Sequence, residues 1–473
     1  MDRRNFLKSI GAAAAGAAFS SRIARAAKSR RPNVILMMAD DFGYECLSCN
    51  GGSPYKTPVL DRLAAEGIRF TNCCAQPLCT ASRVKIMTCR YNFRNYLTFG
   101  ILKQDETTFG HVMKKAGYKT CIVGKWQLGR DRKLVNHFGF DEYCLWWLEN
   151  RGERYTNVEE LMQNGKVLPK KDGQFGPDVV GNFMLDFISR NKDEQFFCYY
   201  PMILTHSPFV TTPDSADPDC KDKHKNFEDM VAYTDKIVGK IVSHLKKLGL
   251  LENTVILFTG DNGTSRKIVS KLNGKVYPGA KGKMSSDAGP HVPLVAYWPA
   301  GGVKGAVLDD PIDFSDFLPT IAELGRAELP QSVTIDGASF ADRLRGDTNY
   351  RPRDYSYICY YGGERRKRRN PTVCARGRRY HLIGDGNMYD FLEDPLFENP
   401  IPAGKAKAER AKLQAVIDRM EIERAKSDEV IAKGRYLETI DPALTRAGGK
   451  KGGSKDNKRK SRRKRRRLKE QRR

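Results

Sequence analysis

Along the chain, apolar runs bounded by polar residues alternate with segments whose apolar positions recur every three or four residues. The first run, Val34 to Ala39 after Asn33, is continuously apolar, which is how a parallel strand buried on both faces reads. Tyr118 to Gly124, Phe196 to Met202 and Thr254 to Thr259 predict further buried strands, the last (Thr-Val-Ile-Leu-Phe-Thr) most clearly. Thr57 to Gly67 predicts a helix, with Pro58 near its start and Leu60, Leu63 and Ala64 on one face. Thr107 to Ala116 predicts a second, stopped by Gly117. Phe227 to Lys247 predicts a third, with Met230, Val231, Ile237, Val238, Ile241 and Leu245 as its apolar stripe. Such alternation predicts an α/β fold, a mostly parallel central sheet sandwiched by helices.

Each of these strands delivers polar groups suited to chemistry. The first ends in Asp40-Asp41, the second in Lys125-Trp126-Gln127-Leu128-Gly129, the third in His206-Ser207-Pro208 and the fourth in Gly260-Asp261-Asn262-Gly263. Open α/β sheets place their ligands at the carboxyl ends of the strands. Adjacent carboxylates there repel one another unless a cation holds them. Each group alone has an ordinary structural reading; Asp-Asn-Gly, for example, is also good turn chemistry. Four strand ends carrying catalytic-type polar groups exceed chance clustering.

Composition adds limits. The chain has 473 residues, 40% hydrophobic and 29% charged, with a net charge of +26. Residues 450–473 hold fifteen Lys/Arg against two acids, a net +13, so the body needs no nucleic-acid partner to explain its charge. This tail, within residues 441–473, is expected to be disordered. Twelve cysteines at irregular spacing fit neither a small disulfide scaffold nor a zinc module. Cys46-Leu-Ser-Cys49 follows an acidic pair instead of opening a thioredoxin-like helix, which argues against a redox role. At the other end, Asp2 to Lys8 resembles the twin-arginine export motif, followed by an Ala/Gly run too short to span a membrane and a small-x-small site at Ala24-Arg25-Ala26. Residues 1–26 are thus expected to be a signal peptide, read by the twin-arginine translocase, that delivers a periplasmic or secreted protein. A composition shift near Thr348 to Pro352 divides residues 27–348 from residues 349–440, where the strand-like runs Tyr355 to Tyr361 and Thr372 to Ile383 precede a helix, Lys405 to Ala425.

The most informative stretch runs from Cys79 to Arg90. Taken alone, Cys79 would read as one more buried thiol. With its neighbours, Cys79-Thr-Ala-Ser-Arg83 and the closing Thr88-Cys89-Arg90, it resembles the sulfatase signature Cys-x-Pro/Ala-x-Arg with a tail ending in Thr-x-Arg. The resemblance to the sulfatases, of the alkaline-phosphatase-like superfamily, extends in ordered motifs over roughly residues 33–423.

That resemblance implies a sulfuric ester hydrolase in which a formylglycine-generating enzyme oxidises Cys79 to formylglycine. Asp40, Asp41, Asp261 and Asn262, with the modified residue 79, match the residues that bind one divalent cation, usually Ca²⁺. All four are hard oxygen ligands, as calcium prefers. Arg83 matches the residue that steadies the formylglycine hydrate, and Lys125 and Lys281 match the lysines that grip the sulfate. Lys283 is the alternative should the register differ. His206 matches the histidine near the leaving oxygen. The implied chemistry is attack of the hydrated aldehyde on sulfur, departure of the alcohol with a proton from His206 or Lys281, and expulsion of sulfate through the second hydroxyl. A smaller antiparallel-sheet-plus-helix subdomain is implied for residues 349–440.

Three positions depart from the family pattern. Ala81 replaces the usual Pro. Asp287-Ala-Gly-Pro-His-Val-Pro293 diverges from Glu-Gly-Gly-x-Arg-Val-Pro, which bears on structure more than chemistry. Gln127 stands where the family usually has the histidine favoured as base for sulfate expulsion, and an amide cannot take up a proton near neutral pH. Either another base serves or turnover slows at that step.

Export and a basic body favour a sulfated polysaccharide or glycosaminoglycan-like sugar as substrate. Two other readings share these residues. One is a phosphodiesterase or phosphonate hydrolase of the same superfamily, and the other is a sulfated-glycan-binding protein without catalysis.

Overall fold

A computed structural model describes residues 31–149, 152–156, 158–362 and 370–433. The expected signal peptide (1–26) and basic tail (441–473) lie outside the described residues. Among those described, no helix is long and apolar enough to cross a membrane.

The apolar runs form the strands they predict. β1 (Asn33–Ala39), β2 (Ile68–Cys74), β3 (Lys119–Lys125), β4 (Glu142–Trp146), β5 (Phe196–Pro201), β6 (Thr254–Gly260), β7 (His291–Tyr297) and β8 (Ala306–Leu308) lie in one sheet, in the order β8-β2-β7-β6-β1-β5-β3-β4. β1 sits at its centre, parallel to β5 on one side and β6 on the other. Its residues alternate between two cores, as strand geometry requires. Val34, Leu36 and Met38 pack with α3 (Phe109–Lys115) and α6 (Phe317–Leu324), whereas Ile35 and Met37 pack with α1 (Pro58–Glu66), α4 (Gly176–Arg190) and α5 (Lys223–Lys247). The whole predicted stripe of α5 is buried, and the helix begins four residues early because Asp222 caps it, accepting from the His224 backbone N–H at 2.7 Å.

β7 breaks the parallel order within the sheet, running antiparallel to both β6 and β2, as the short strand Met162–Gln163 does at the far edge beside β4. The reversal has a functional result. The connection from β6 to β7 leaves the carboxyl edge of the sheet and returns to that same edge, so residues 261–290 all lie where the other strand ends deliver their polar groups.

Helix α2 (Cys79–Thr88) begins at Cys79 itself. All of its residues are buried. Lys85 is accommodated because its Nζ donates to Asp313 at 2.8 Å and to the Tyr357 carbonyl at 2.7 Å. Burial pushes Asp313 up, but Lys85 and Arg353 overcome it and hold the carboxylate below its usual range.

Beyond residue 348, β9 (Ser356–Tyr360), β10 (Thr372–Arg376), β11 (Tyr380–Ile383) and β12 (Met388–Asp390) form an antiparallel sheet. The single run expected over Thr372 to Ile383 is thus two strands, folded back on each other around Gly377-Arg378-Arg379. Helix α7 (Lys407–Lys433) extends past the expected Ala425, continued by ion pairs of Arg424 with Asp428 and of Lys426 with Glu423, both at 2.9 Å. The small sheet shares a core with the large one, Tyr357, Val373, Ala375 and Leu382 packing among Met87, Tyr91 and Phe93. Asp287 joins the two through Arg376 (2.8 and 3.1 Å) and His291 (2.8 Å), all buried, so the divergent 287–293 segment is a structural clasp.

Candidate active site

β1 and β6 lie side by side, and their ends bring Asp40, Asp41, Asp261 and Asn262 together. Close approach there demands a glycine: a Cβ on Gly260 would stand 1.9 Å from the Phe42 carbonyl oxygen. Asp41 takes a left-handed conformation, φ 60°, which aspartate tolerates better than most residues. Its backbone N–H donates to Asp261 Oδ1 at 3.0 Å, and Asn262 Nδ2 donates to Asp41 Oδ1 at 2.9 Å.

Cys79 enters from α2. Its Sγ and carboxylate oxygens of Asp40 and Asp261 lie within 4.8 Å of one another, all buried. One helical turn on, Arg83 reaches the same place, donating to the Lys125 carbonyl at 2.9 Å and pairing with Asp261 at 3.4 Å. Lys125 Nζ stands 2.7 Å from Asp40 Oδ2, and Lys281 Nζ stands 2.5 Å from Asp41 Oδ1. Lys283 is exposed, and it is Lys281 that the fold brings to Asp41. His206 Nδ1 lies 2.7 Å from the Ser207 carbonyl, so it carries the proton there. Burial depresses its pKa to about 4 against the pull of Asp41 and Asp40, leaving a neutral ring whose Nε2 is an acceptor, 3.8 Å from Asp41. Gln127 is buried two residues past Lys125 at φ 59°, and its Oε1 has no partner.

The electrostatics are unbalanced. Burial would raise Asp40, but Lys125, His206, Lys281 and Arg83 hold it far below the ordinary carboxylate range. Asp261 goes the other way: burial and the neighbouring Asp40 push it up to about 8 despite Arg83 and Lys125. Asp40 Oδ1 and Asn262 Oδ1 are buried without a hydrogen-bond partner. Orphaned hard oxygens among crowded carboxylates fit a divalent cation, and Asp40, Asp41, Asp261 and Asn262 are the residues able to hold it.

Other contributors are not visible in the motifs. The Lys125 ammonium lies 5.7 Å from the centre of the Trp147 ring. The Tyr155 hydroxyl donates to the Ile203 carbonyl at 3.1 Å and to the His206 carbonyl, fixing the loop that carries the histidine. Asp313, which anchors α2 through Lys85, opens a capping box with Asp316, and that Asp-x-x-Asp before an apolar run was a readable signal.

Cys79, at a buried helix start, and the paired carboxylates converge on the carboxyl edge of an α/β sheet, the edge where such folds place their ligands. Residues 32–327 match the sulfatase family model, and the chain belongs to the sulfatase family. It is 31% identical to human arylsulfatase A over 363 residues, covering 68% of this chain and 69% of the relative. It is 30% identical to mouse N-acetylgalactosamine-6-sulfatase over 367 residues, covering 70% and 69%. Among solved structures, a sulfatase from Pseudoalteromonas sp. superposes with a TM-score of 0.71 at 23% identity, over 86% of this chain and 94% of that one. A protein solved in complex with its substrate D-glucosamine-2-N,6-O-disulfate gives 0.67 at 22% identity, over 84% and 99%. The protein is a sulfatase enzyme.

Proposed function

We propose that this enzyme hydrolyses sulfate esters of carbohydrates, with Cys79 converted to formylglycine and one Ca²⁺ held by Asp40, Asp41, Asp261 and Asn262. The observation that carries the reading is the convergence of Cys79 with Asp40 and Asp261 within 4.8 Å. Formylglycine, once hydrated, supplies an oxygen nucleophile and a second hydroxyl, and the cation supplies positive charge opposite the sulfate.

The rest falls to the chain's own side chains. Lys125 and Lys281 offer two ammonium groups to the sulfate oxygens, where charge must be held as the S–O bond breaks. Arg83, its guanidinium fixed by the Lys125 carbonyl and Asp261, steadies residue 79. Lys281 Nζ is the proton donor that is charged at rest, and His206 Nε2 is the acceptor that can take a proton and return it. Gln127 can orient by hydrogen bonding but carries no proton.

Carbohydrate as substrate class is supported by the names of the similar proteins, an N-acetylgalactosamine-6-sulfatase and a protein bound to a disulfated glucosamine. Modification by a formylglycine-generating enzyme and export through the twin-arginine translocase to the periplasm or beyond rest on residues 79–90 and 2–26 of the sequence.

The test is made on protein from its native host. The peptide containing residue 79 should carry the aldehyde or its hydrate by mass spectrometry. Precursor trapped in the cytoplasm should already carry it, because the modification needs an unfolded chain and this export route takes folded ones. The same material should release inorganic sulfate from sulfated sugars. Active enzyme with a wholly unmodified thiol would sink the reading.

A further inference from the structure

Between Asp261 and Asp287 the chain carries six Lys/Arg residues and no acidic one. Lys281 is taken up by Asp41 in the site. The other five, Arg266, Lys267, Lys271, Lys275 and Lys283, are exposed, and none has an ion-pair partner among the described residues.

Their placement is specific. Val269–Leu272 and Lys275–Pro278 form a hairpin in the connection between β6 and β7. Each strand is four residues long, roughly 13 Å at strand rise. Its base is part of the active site: the Lys281 backbone N–H donates to the Thr264 carbonyl at 3.0 Å, so the hairpin is rooted between Asn262 and Lys281. A third strand, Gly52–Ser53, comes after the loop beyond Asp41 and pairs with Lys271 and Leu272. The register sorts its faces. Ser270 opposes Tyr277, both buried, with the Ser270 hydroxyl 2.6 Å from that of Tyr55. Lys271 opposes Val276 and Val269 opposes Pro278 on the other face, where Val269 is 51% and Val276 62% exposed.

An outward face with Lys271 between two exposed valines, and with the unpaired Arg266, Lys267 and Lys275 exposed around it, matches one kind of partner, a chain of sugar rings bearing anionic groups. The rings offer C–H surface to the valines and the substituents meet the lysines. We infer that this hairpin docks the anionic polysaccharide whose sulfate ester is presented at residue 79, holding charged groups on sugar units beyond the one hydrolysed. The inference rests on the carbohydrate-sulfatase reading of the site and extends it to polymeric, multiply charged substrates.

The experiment uses the full chain, wild type against the variant Arg266→Gln/Lys267→Gln/Lys271→Gln/Lys275→Gln. A control, Lys246→Gln/Lys247→Gln, removes exposed charge from the end of α5. Affinity for a fluorescent dextran sulfate oligosaccharide is read by anisotropy, and kcat/KM for 4-nitrophenyl sulfate is read separately. Residues 450–473 are common to all three proteins, so differences in affinity belong to the substituted positions. The hairpin variant should bind the oligosaccharide about tenfold more weakly at low salt, with the difference vanishing at high salt. Its aryl sulfate kinetics should match wild type, and the control should bind as wild type does. Equal affinity of variant and wild type, an equal loss in the control, or a parallel fall in aryl sulfate hydrolysis would overturn the inference. Wild type that hydrolyses no sulfate ester would defeat the enzymatic reading instead, a result legible without the anisotropy data.

Discussion

Lys125 Nζ lies 2.7 Å from Asp40 Oδ2, and neither side chain is exposed to solvent at all. The pair ties the carboxyl end of β3 to that of β1, and β5 stands between those strands. An ammonium in that position competes for the charge that a bound cation would neutralise, so the two are thermodynamically linked at Asp40.

Replacing Lys125 with Met should therefore do more than remove a sulfate ligand. Breaking a buried pair by deleting one partner costs about 3–5 kcal/mol, because Asp40 is left without its nearest counter-charge. The melting temperature of calcium-free protein should fall accordingly. Added Ca²⁺ should then raise the variant's melting temperature by more than it raises the wild type's. Equal calcium shifts in the two proteins would show that Lys125 and the cation do not share Asp40.

Of the three aspartates gathered at the strand ends, Asp261 is the one pushed up, to about 8, by burial and Asp40. Asp261→Ala should abolish hydrolysis while relieving that repulsion, so the calcium-free protein should remain folded. Calcium should no longer raise its melting temperature. Full activity of wild type in the presence of a strong chelator would contradict the four-residue metal site.

Glu45 supplies a pH dependence. It is buried without a charged partner among the described residues, and burial lifts its pKa from 4.5 to about 7 against the pull of the Thr264 hydroxyl. The folded protein thus holds this proton more tightly than the unfolded chain does. Stability from this group is complete below about pH 4.5 and is lost as pH rises towards about 7, a change of roughly 3 kcal/mol. Glu45→Gln should remove the dependence. The variant should melt above wild type at pH 8 and close to it at pH 4.5, and a pH-independent difference would refute the assignment.

Gln127→His restores the residue usual in the family, and the backbone permits it, since histidine tolerates the positive φ found there. If the missing imidazole were the only base for sulfate expulsion, wild type would show a burst of alcohol before slower turnover. The variant would then turn over faster, with a pH dependence near roughly 6 to 7. His206 offers a neutral acceptor in the same site, so the expected result is no burst and a neutral or harmful effect of Gln127→His. Rapid-quench measurement of alcohol release distinguishes the two, and a clear burst would prove this expectation wrong.

Much of the frame was readable because parallel strands buried on both faces leave uninterrupted apolar runs, and β1, β3, β5 and β6 all do. β2 was not readable: Ile68-Arg-Phe-Thr-Asn-Cys-Cys74 alternates in burial near the sheet's margin and holds no continuous apolar run. The doubled strand within 372–383 was missed because its turn is Gly-Arg-Arg, basic residues that do not announce a reversal.

The local sequence was sufficient for the residue types of the site and the strand ends that carry them, because a strand's carboxyl end and a motif's spacing are properties of neighbouring residues. Only the tertiary structure decided which of those groups meet. Asp41 and Lys281 pair across 240 residues because β7 runs against its neighbours and returns the chain to the same edge. Burial, which sets Glu45 apart from other loop carboxylates, comes from elements distant in the chain. Strand register alone puts Lys271 beside two exposed valines on one face of the hairpin. Contact between residues distant in sequence depends on strand order and direction, which no local pattern encodes.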